Sequence, residues 1–312
     1  MALDKVADID LPKHAGPGGF DHAAVHGPRG LLYVAHTAND AVDVIDCAAG
    51  THLRSISGLT RVAGALVSEA HDLVFTGNRG ENTVGIFSPG REGTLAKVKV
   101  GIGPNGLAYS ADHRLLLAAN VGDPARPGSF SISLVDVGAR ALIADIRAPG
   151  RTRWAVFDAS SGRFYVNIAD PPQIVVVDAA EPTRIAGAFA MPAAGPHGLD
   201  LDPETQRLFC ACDARTLLVV DTRSGKVASR HPLSGVPDVV FFNAALLHLY
   251  VAIGEPGVID VFDTDRMRLL ESVATEAGAH TIGFDPGRNA VYAILPETHR
   301  AAVYQDAGSA RS

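Results

Sequence analysis

The sequence predicts an all-β fold, a seven-bladed β-propeller of four-stranded blades, and three observations carry this prediction. A β-rich run with a polar ending recurs seven times along the 312 residues. Two further β-rich runs precede it in the better preserved copies. The 32 Gly and 19 Pro are spread along the chain, which fits many short strands joined by turns.

The polar-ended run is the clearest element of the repeat. Its copies lie at 43–46, 84–88, 133–136, 175–178, 218–221, 260–263 and 302–305, and five of them end in Asp. Their last residues are separated by 42, 48, 42, 43, 42 and 42 residues. A unit of about 42 residues with four short strands is the size of one propeller blade. Because the Asp ending recurs from blade to blade, it indicates turn capping rather than catalysis.

The other strands of each blade follow from the same alignment. A run rich in β-branched and aromatic residues lies at 32–36, 116–120, 164–167 and 249–252. An earlier run begins with Pro-x-Gly or a related start, at 104–108, 196–200 and 237–241. A fourth strand follows the Asp turn. We therefore predict one domain over residues 1–312, with blades that start near residues 21, 63, 105, 153, 197, 238 and 280.

The last blade needs a strand from elsewhere in the chain. Its final run ends at Gln305, which leaves no room for a fourth strand. Residues 4–12 precede the first inner strand and have no blade of their own. We predict that they complete the last blade, because this closes the ring and removes exposed strand edges.

Composition excludes several functional classes. The formal net charge is −7 and no Lys/Arg run is present, which argues against nucleic acid and against an anionic membrane surface. No apolar stretch reaches the ~18 residues that span a bilayer. The N-terminal residues do not resemble a signal peptide, and the three cysteines are too few for a disulfide framework, so a cytoplasmic location is expected. A closed ring has no need of a partner, which predicts a monomer.

The repeat resembles a known family. The runs 33–36 and 249–252, the Pro-x-Gly starts and the Val-Ile-Asp endings are similar to the YVTN-type propeller repeat over essentially the whole chain. Its relatives include lactonase-like and cytochrome-D1-like propellers, muconate-cyclising enzymes, a streptogramin lyase and non-catalytic proteins. The resemblance implies the seven-bladed fold. No catalytic motif of these enzymes matches the chain, so it assigns no residue a role.

The residue between Pro and Gly is the main candidate for function. In a propeller the innermost strand starts beside the central channel, so equivalent residues of seven blades form a ring at the channel mouth. Six of the seven are polar or ionisable, and His22 competes with Asp21 for the place in blade 1. The ring consists of Asp21, Ala63, Asn105, Arg153, His197, Asp238 and His280.

The ring predicts two kinds of chemistry. Converging His and Asp side chains could hold a divalent metal ion, and mixed N/O ligands suit Zn, Mn, Fe or Ni. The candidate metal ligands are His197, His280, Asp238, Asp21 and His22. The candidate catalytic residues are His197, His280, Arg153 and Asp238. The plain alternative is a solvated polar pore.

A substrate would contact neighbouring residues as well. Arg153 would bind a carboxylate or an oxyanion. Asn105 lies in the ring, Trp154 follows Arg153, and His36 ends a second strand and is expected to reach the same opening. The resulting prediction is an enzyme of hydrolase, lyase or isomerase type that acts on a small anionic or cyclic, lactone-like molecule at the mouth, with metal assistance as an option. The alternative is a non-catalytic propeller scaffold for protein–protein interaction.

Overall fold

The computed structural model describes residues 3–308, which form 28 β-strands in seven four-stranded antiparallel sheets. Two short 3-10 helices, Gly27–Arg29 and Thr37–Asn39, interrupt blade 1. No helix among these residues is long and apolar enough to cross a membrane. The prediction of an all-β, seven-bladed propeller is confirmed.

The strands follow the predicted repeat in chain order. The first half of the chain contains β1 (Leu3–Asp10), β2 (Ala23–His26), β3 (Leu31–His36), β4 (Ala41–Asp46), β5 (Thr51–Ser57), β6 (Val62–Ser68), β7 (Leu73–Asn78), β8 (Thr83–Ser88), β9 (Arg91–Lys99), β10 (Pro104–Ser110), β11 (Leu115–Asn120), β12 (Ser131–Asp136), β13 (Ala141–Arg147), β14 (Thr152–Asp158) and β15 (Arg163–Ile168). The second half contains β16 (Gln173–Asp178), β17 (Gly187–Ala190), β18 (Pro196–Asp202), β19 (Arg207–Cys212), β20 (Thr216–Asp221), β21 (Val227–Pro232), β22 (Pro237–Asn243), β23 (His248–Ile253), β24 (Val258–Asp263), β25 (Arg268–Ala274), β26 (Thr281–Asp285), β27 (Ala290–Leu295) and β28 (Arg300–Asp306). Blades 1 to 6 are β2–β5, β6–β9, β10–β13, β14–β17, β18–β21 and β22–β25.

Blade 7 closes as predicted. Its strand order is β1-β28-β27-β26, so the N-terminal strand is the outermost strand of the last blade. Leu3 pairs with Asp306 and Asp10 pairs with Arg300. The backbone N–H of Leu11 also donates to His299 O over 2.8 Å. The buried side chains of Leu3 and Ile9 anchor this strand in the core.

The core lies between the faces of neighbouring blades. Middle strands such as β11 are buried along their whole length, because a neighbouring blade packs against each of their two faces. Outer strands such as β21 alternate between half-buried and exposed residues, as expected for a strand with one face in solvent. The four largest fully buried side chains are Tyr33, Tyr165, Tyr250 and Tyr292.

The recurring Asp endings cap turns, as the repeat predicts. In each case a side-chain Oδ1 accepts a hydrogen bond from a backbone N–H two or three residues on, over 2.8–3.0 Å. The hydrogen bonds from Ala49 and Ala48 hold the pKa of the Asp46 carboxyl below its usual value. The five capping residues are Asp46, Asp136, Asp178, Asp221 and Asp263.

Candidate functional site at the channel mouth

The ring residues lie where the inner strands begin. In β10 the pairing with β11 jumps between Pro104 and Gly106, so Asn105 is left out of the ladder. The same shift leaves out Ala63 in β6 and His197 in β18. A bulge of this kind frees a residue from the pleat and turns its side chain away from the ladder.

In blades 2, 3 and 5 a glycine follows the ring residue, and it has a packing reason. A Cβ at Gly106 would overlap the carbonyl oxygen of Arg153, and a Cβ at Gly198 would overlap that of Asp238. These carbonyls belong to the ring residues of the next blade. The glycine therefore lets successive inner strands approach closely.

Blades 1, 4, 6 and 7 have another residue at this position, and in blade 1 it is His22. The N–H of His22 donates to Ala63 O over 3.0 Å, so His22 occupies the glycine position and Asp21 is the true ring residue. Side chains at this position add bulk beside the channel. The equivalents in the seven blades are His22, Gly64, Gly106, Trp154, Gly198, Val239 and Thr281.

A connected group of charged side chains lies at the mouth in blades 4 to 7. His197 Nδ1 donates to Asp213 Oδ1 over 2.7 Å. On its other side, His197 Nε2 lies 3.1 Å from Arg153 Nη1 and 3.3 Å from Asp238 Oδ1. Arg153 Nη2 is also 3.5 Å from Asp213 Oδ2. The more exposed His280 places Nε2 4.0 Å from Asp238 Oδ2, while its Nδ1 donates to Gly278 O over 2.8 Å.

A second group comes from blades 1 and 2. Arg79 Nη1 lies 3.2 Å from Asp21 Oδ2, and Asp21 Oδ1 is 3.4 Å from His22 Nε2. Arg151 is close enough to Arg153, Arg79 and Asp213 to feel their charges. Partial burial, and after it the charges of Arg153 and Arg79, lower the pKa of Arg151, while Asp213 opposes this. Three guanidinium groups are thus close enough at the mouth to act on one another.

The pKa values of two further side chains at the mouth, Asp213 and His22, are shifted from their ordinary values. Burial opposes ionisation of Asp213, but the hydrogen bond from His197 and the charges of His197, Arg153 and Arg151 outweigh it and lower the pKa of this carboxyl. Burial lowers the pKa of His22, and Asp21 and Asp238 offset only part of the effect. Asp213 is therefore an anion at neutral pH, whereas His22 is a neutral imidazole.

His22 and Trp154 meet across the channel beneath the ring, and we call this pair the plug. Their ring centroids are 4.2 Å apart, although the residues belong to blades 1 and 4. Trp154 also meets Phe241 of blade 6 at 6.4 Å in an edge-to-face arrangement. The sequence predicts Trp154 as a substrate contact, which stays a prediction, and the structure places its ring against His22 and Phe241.

A chamber of about 430 Å³ lies on the far side of this plug. Inner strands of all seven blades line it, mainly with Ala, Val, Leu and aromatic residues. The polar lining residues are His22 at the plug, Ser68, Glu69 and Tyr109, and Asp200 on the wall. The Asp200 carboxylate accepts hydrogen bonds from the N–H groups of Leu201 (2.8 Å) and Phe242 (2.6 Å). Burial outweighs these bonds and raises the pKa of Asp200 to about 7.

The sequence prediction missed Arg79, Asp213 and Asp200, although the repeat carries a signal for each. Arg79 and Asp213 are the charged members of the position directly after the second strand. That position holds Thr37, Arg79, Val121, Ala169, Asp213, Gly254 and Pro296. Asp200 is the charged member of the position three residues after the ring. That position holds Ala24, Leu66, Ala108, Val156, Asp200, Phe241 and Gly283.

His36 does not reach the mouth, which corrects the sequence prediction. Its side chain is fully buried. Its Nδ1 donates to Asp43 Oδ2 over 2.7 Å, and its Nε2 lies 2.8 Å from Nδ1 of His14. The equivalent Asn78 and Asn120 are also fully buried and bond within their blades. The end of the second strand therefore stabilises the blade, because it lies between two packed faces.

Asn105 stays a predicted substrate contact. Its side chain is largely buried, and its Oδ1 accepts no hydrogen bond from the described residues. An acceptor without a donor at this depth leaves a polar group for a water or a ligand to satisfy.

The ring does not fit a metal centre as arranged. Within residues 3–308, no group of three or more His, Cys, Asp or Glu side chains is placed to hold a metal ion. Asp213 takes one nitrogen of His197, and the Arg153 guanidinium lies beside the other. A cation at that nitrogen would be repelled by the guanidinium.

Comparison with known proteins identifies the fold. Hydrazine synthase of Kuenenia stuttgartiensis superposes with a TM-score of 0.82 at 15% identity, over 96% of this chain and 98% of that one. The likeness is one of fold. A chain in a crystal structure of the mitotic checkpoint complex superposes with a TM-score of 0.80 at 11% identity, over 96% and 91%. No family model and no curated protein matches the sequence, so membership of the YVTN-type family remains a prediction.

Proposed function

We propose that the protein is an enzyme that acts on a small anionic or cyclic, lactone-like molecule at the channel mouth, with His197 as its proton-transferring group. The observation that carries the proposal is the placement of His197. One ring nitrogen is held by Asp213, and the other faces both Arg153 and Asp238.

This placement provides a partner for both protonation states of His197. In the neutral state Nδ1–H donates to Asp213, and Nε2 accepts a hydrogen bond from Arg153. In the protonated state Nε2–H would have Asp238 Oδ1, 3.3 Å away, as its acceptor instead. An imidazole with a partner within reach in each state can take up a proton and release it again, as a general base and general acid must. The anionic Asp213 holds the ring in one orientation and stabilises the imidazolium.

The arginines favour a substrate that carries or develops negative charge. Arg153 lies next to the reactive nitrogen, with Arg151 and Arg79 nearby. A guanidinium binds a carboxylate through two parallel hydrogen bonds and also stabilises an oxyanion. The Nε–H groups of Arg79 and Arg153 have no hydrogen-bond partner among the described residues.

Lactone hydrolysis uses each of these groups. His197 Nε2 removes a proton from water while the water oxygen attacks the ring carbonyl, and Arg153 stabilises the resulting oxyanion. The C–O bond of the ring then breaks, and the imidazolium returns the proton to the alkoxide, which yields a hydroxy acid. Between these two proton transfers, Asp238 accepts a hydrogen bond from the His197 imidazolium. His280, which lies beside Asp238, would position the group attached to the lactone carbonyl. Lyase or isomerase chemistry would use the same base to remove a proton next to a carboxylate.

The test is turnover of a panel of γ- and δ-lactones, followed through acid release with a pH indicator. We expect His197→Gln to lower kcat by about 10²–10⁴-fold. Arg153→Gln should raise KM about tenfold for lactones that bear a carboxylate and much less for neutral ones. His231→Gln, on outer strand β21, is the matched control and should behave as the wild type.

The proposal is wrong if no lactone is turned over, or if His197→Gln and His231→Gln lose activity equally. The scaffold alternative lacks a specific observation in its favour. The large apolar side chains that are exposed within residues 3–308 are spread over several outer strands and one loop, with at most two on a strand. They are Val6, Leu53, Leu142, Ile143, Val236 and Leu269.

A further inference from the structure

The chamber behind the plug is separate from the mouth in position and in chemistry. We call it the channel chamber, and define it by His22 and Trp154 at one end, Ser68 and Glu69 at the other, and Asp200 on its wall. Its volume of about 430 Å³ falls within the range of small-molecule sites. Because His22 and Trp154 are in contact, a ligand would enter from the face opposite the mouth.

Aromatic side chains form much of the chamber wall. Trp154 and Phe241 meet at 6.4 Å, and Phe241 and Phe284 meet at 6.3 Å, so three blades contribute to a continuous aromatic surface. Tyr109 and Phe157 add further rings from blades 3 and 4. Aromatic faces attract cations electrostatically, most strongly where water is excluded.

Asp200 supplies the opposite charge within the same chamber. Its two oxygens each accept one backbone N–H, and no Lys, Arg or His among residues 3–308 pairs with it. A carboxylate in apolar surroundings without a cation is unfavourable, and a bound cation removes this cost. The exposed Glu69 adds a negative charge at the open end of the chamber, where a ligand would enter.

We propose that the channel chamber binds an organic ammonium cation with an apolar or aromatic substituent. The ammonium group would pair with Asp200, and the substituent would lie against Trp154, Phe241 and Phe284. An anionic ligand is disfavoured here, in contrast to the arginine-rich mouth. The net charge of −7 would also draw cations towards the protein.

Trp154 makes the proposal directly measurable, since it is the chain's single tryptophan and lines the chamber. The protein would be titrated at pH 8 with 2-phenylethylammonium, with the uncharged 2-phenylethanol and with the anionic 3-phenylpropanoate, while the fluorescence is followed. We expect a saturable change with the ammonium ion, and at least tenfold weaker binding of the alcohol and of the anion.

Three variants separate charge recognition from simple apolar binding. Asp200→Asn should weaken binding of the ammonium ion at least tenfold and leave the alcohol unaffected. Phe241→Leu, which keeps the apolar volume, should weaken the ammonium ion more than the alcohol. Asp112→Asn removes an exposed carboxylate from a turn and should change neither.

The proposal is overturned if the ammonium ion and the alcohol bind equally, if Asp200→Asn and Asp112→Asn behave alike, or if no probe gives a saturable change. It stands apart from the proposed enzyme activity. His197→Gln should lower lactone turnover about 10²–10⁴-fold and leave the chamber titration unchanged. Asp200→Asn should weaken ammonium binding in the chamber and leave lactone turnover unchanged.

Discussion

Two aspartates of blade 5 show how surroundings decide the behaviour of a residue. Asp213 lies among arginines and accepts from His197, so its pKa is lowered despite burial. Asp200 lies in an apolar wall with two backbone N–H donors, and its pKa is raised to about 7. The same side chain is thus a permanent anion at the mouth and a titrating group in the chamber.

Asp200 should make the stability of the protein fall as pH rises. Between its ordinary pKa and about 7, the folded protein holds a proton that the unfolded chain releases. Raising the pH through this window therefore disfavours folding, by up to about 1.4 kcal/mol per pH unit for one proton. Urea unfolding of wild type and Asp200→Asn at pH 5, 6, 7 and 8 measures the effect.

The difference between the two proteins isolates Asp200 from the other carboxyls, which titrate in both. We expect the wild type to lose stability relative to Asp200→Asn from pH 5 to pH 7 and little more above pH 8. Parallel pH profiles would contradict the assignment of this titration to Asp200.

At the scale of elements, the start of each inner strand decides where a ring residue lies. The bulge frees the ring residue from the ladder, and the following glycine admits the carbonyl of the next blade. Where the glycine is replaced, as in His22 and Trp154, a side chain enters the channel. One position therefore decides both how closely successive inner strands approach and which side chains enter the channel.

Gly106→Ala tests this role of the strand start. The new Cβ would overlap the carbonyl oxygen of Arg153, which is backbone and cannot move aside alone. We expect a loss of at least about 2 kcal/mol in the free energy of unfolding, measured by urea denaturation. The matched control is Gly187→Ala in β17, where a Cβ meets no atom within 4 Å. It should be neutral or stabilising by up to ~1 kcal/mol, and equal effects of the two changes would refute the packing argument.

At the scale of the whole molecule, the ring is held together by the pairing of β1 with β28. This contact joins residues near the two ends of the chain, from Leu3 opposite Asp306 to Asp10 opposite Arg300. Without it, β28 would be an unpaired edge that is open to other chains. The closure therefore protects the blade as well as completing it.

Removal of residues 1–12 should open the ring. Burial of Leu3 and Ile9 alone contributes about 3–6 kcal/mol, so we expect the melting temperature to fall by roughly 10 °C or more. The exposed edge of β28 should also cause association that depends on protein concentration. A synthetic peptide of residues 1–12 should restore part of the stability when added in trans. Thermal scans and light scattering measure both effects, and an unchanged melting temperature would contradict the closure argument.

The local part of the site was predictable from the sequence, and the contacts across the channel were not. The Pro-x-Gly start places Asn105 and His197 on the ring without knowledge of the fold. The role of Asp213 depends on Arg153, which belongs to another blade. His36 was misplaced for a related reason, since the burial of its position depends on packing between blades. Arg79, Asp213 and Asp200 are charged residues at positions where most other blades have uncharged ones. This contrast is visible only when equivalent positions of all seven blades are compared, and not from single residues.

The sequence by itself determined the number of blades, the order of their strands, the closing strand and the ring of polar positions. These features follow from a period of about 42 residues and from short-range turn patterns, which are local properties of the chain. The tertiary structure alone decided that His22 meets Trp154, that Asp213 holds His197, and that Asp200 lies in an apolar chamber. These contacts join positions 16 to more than 130 residues apart, and the curvature of the closed ring brings them together.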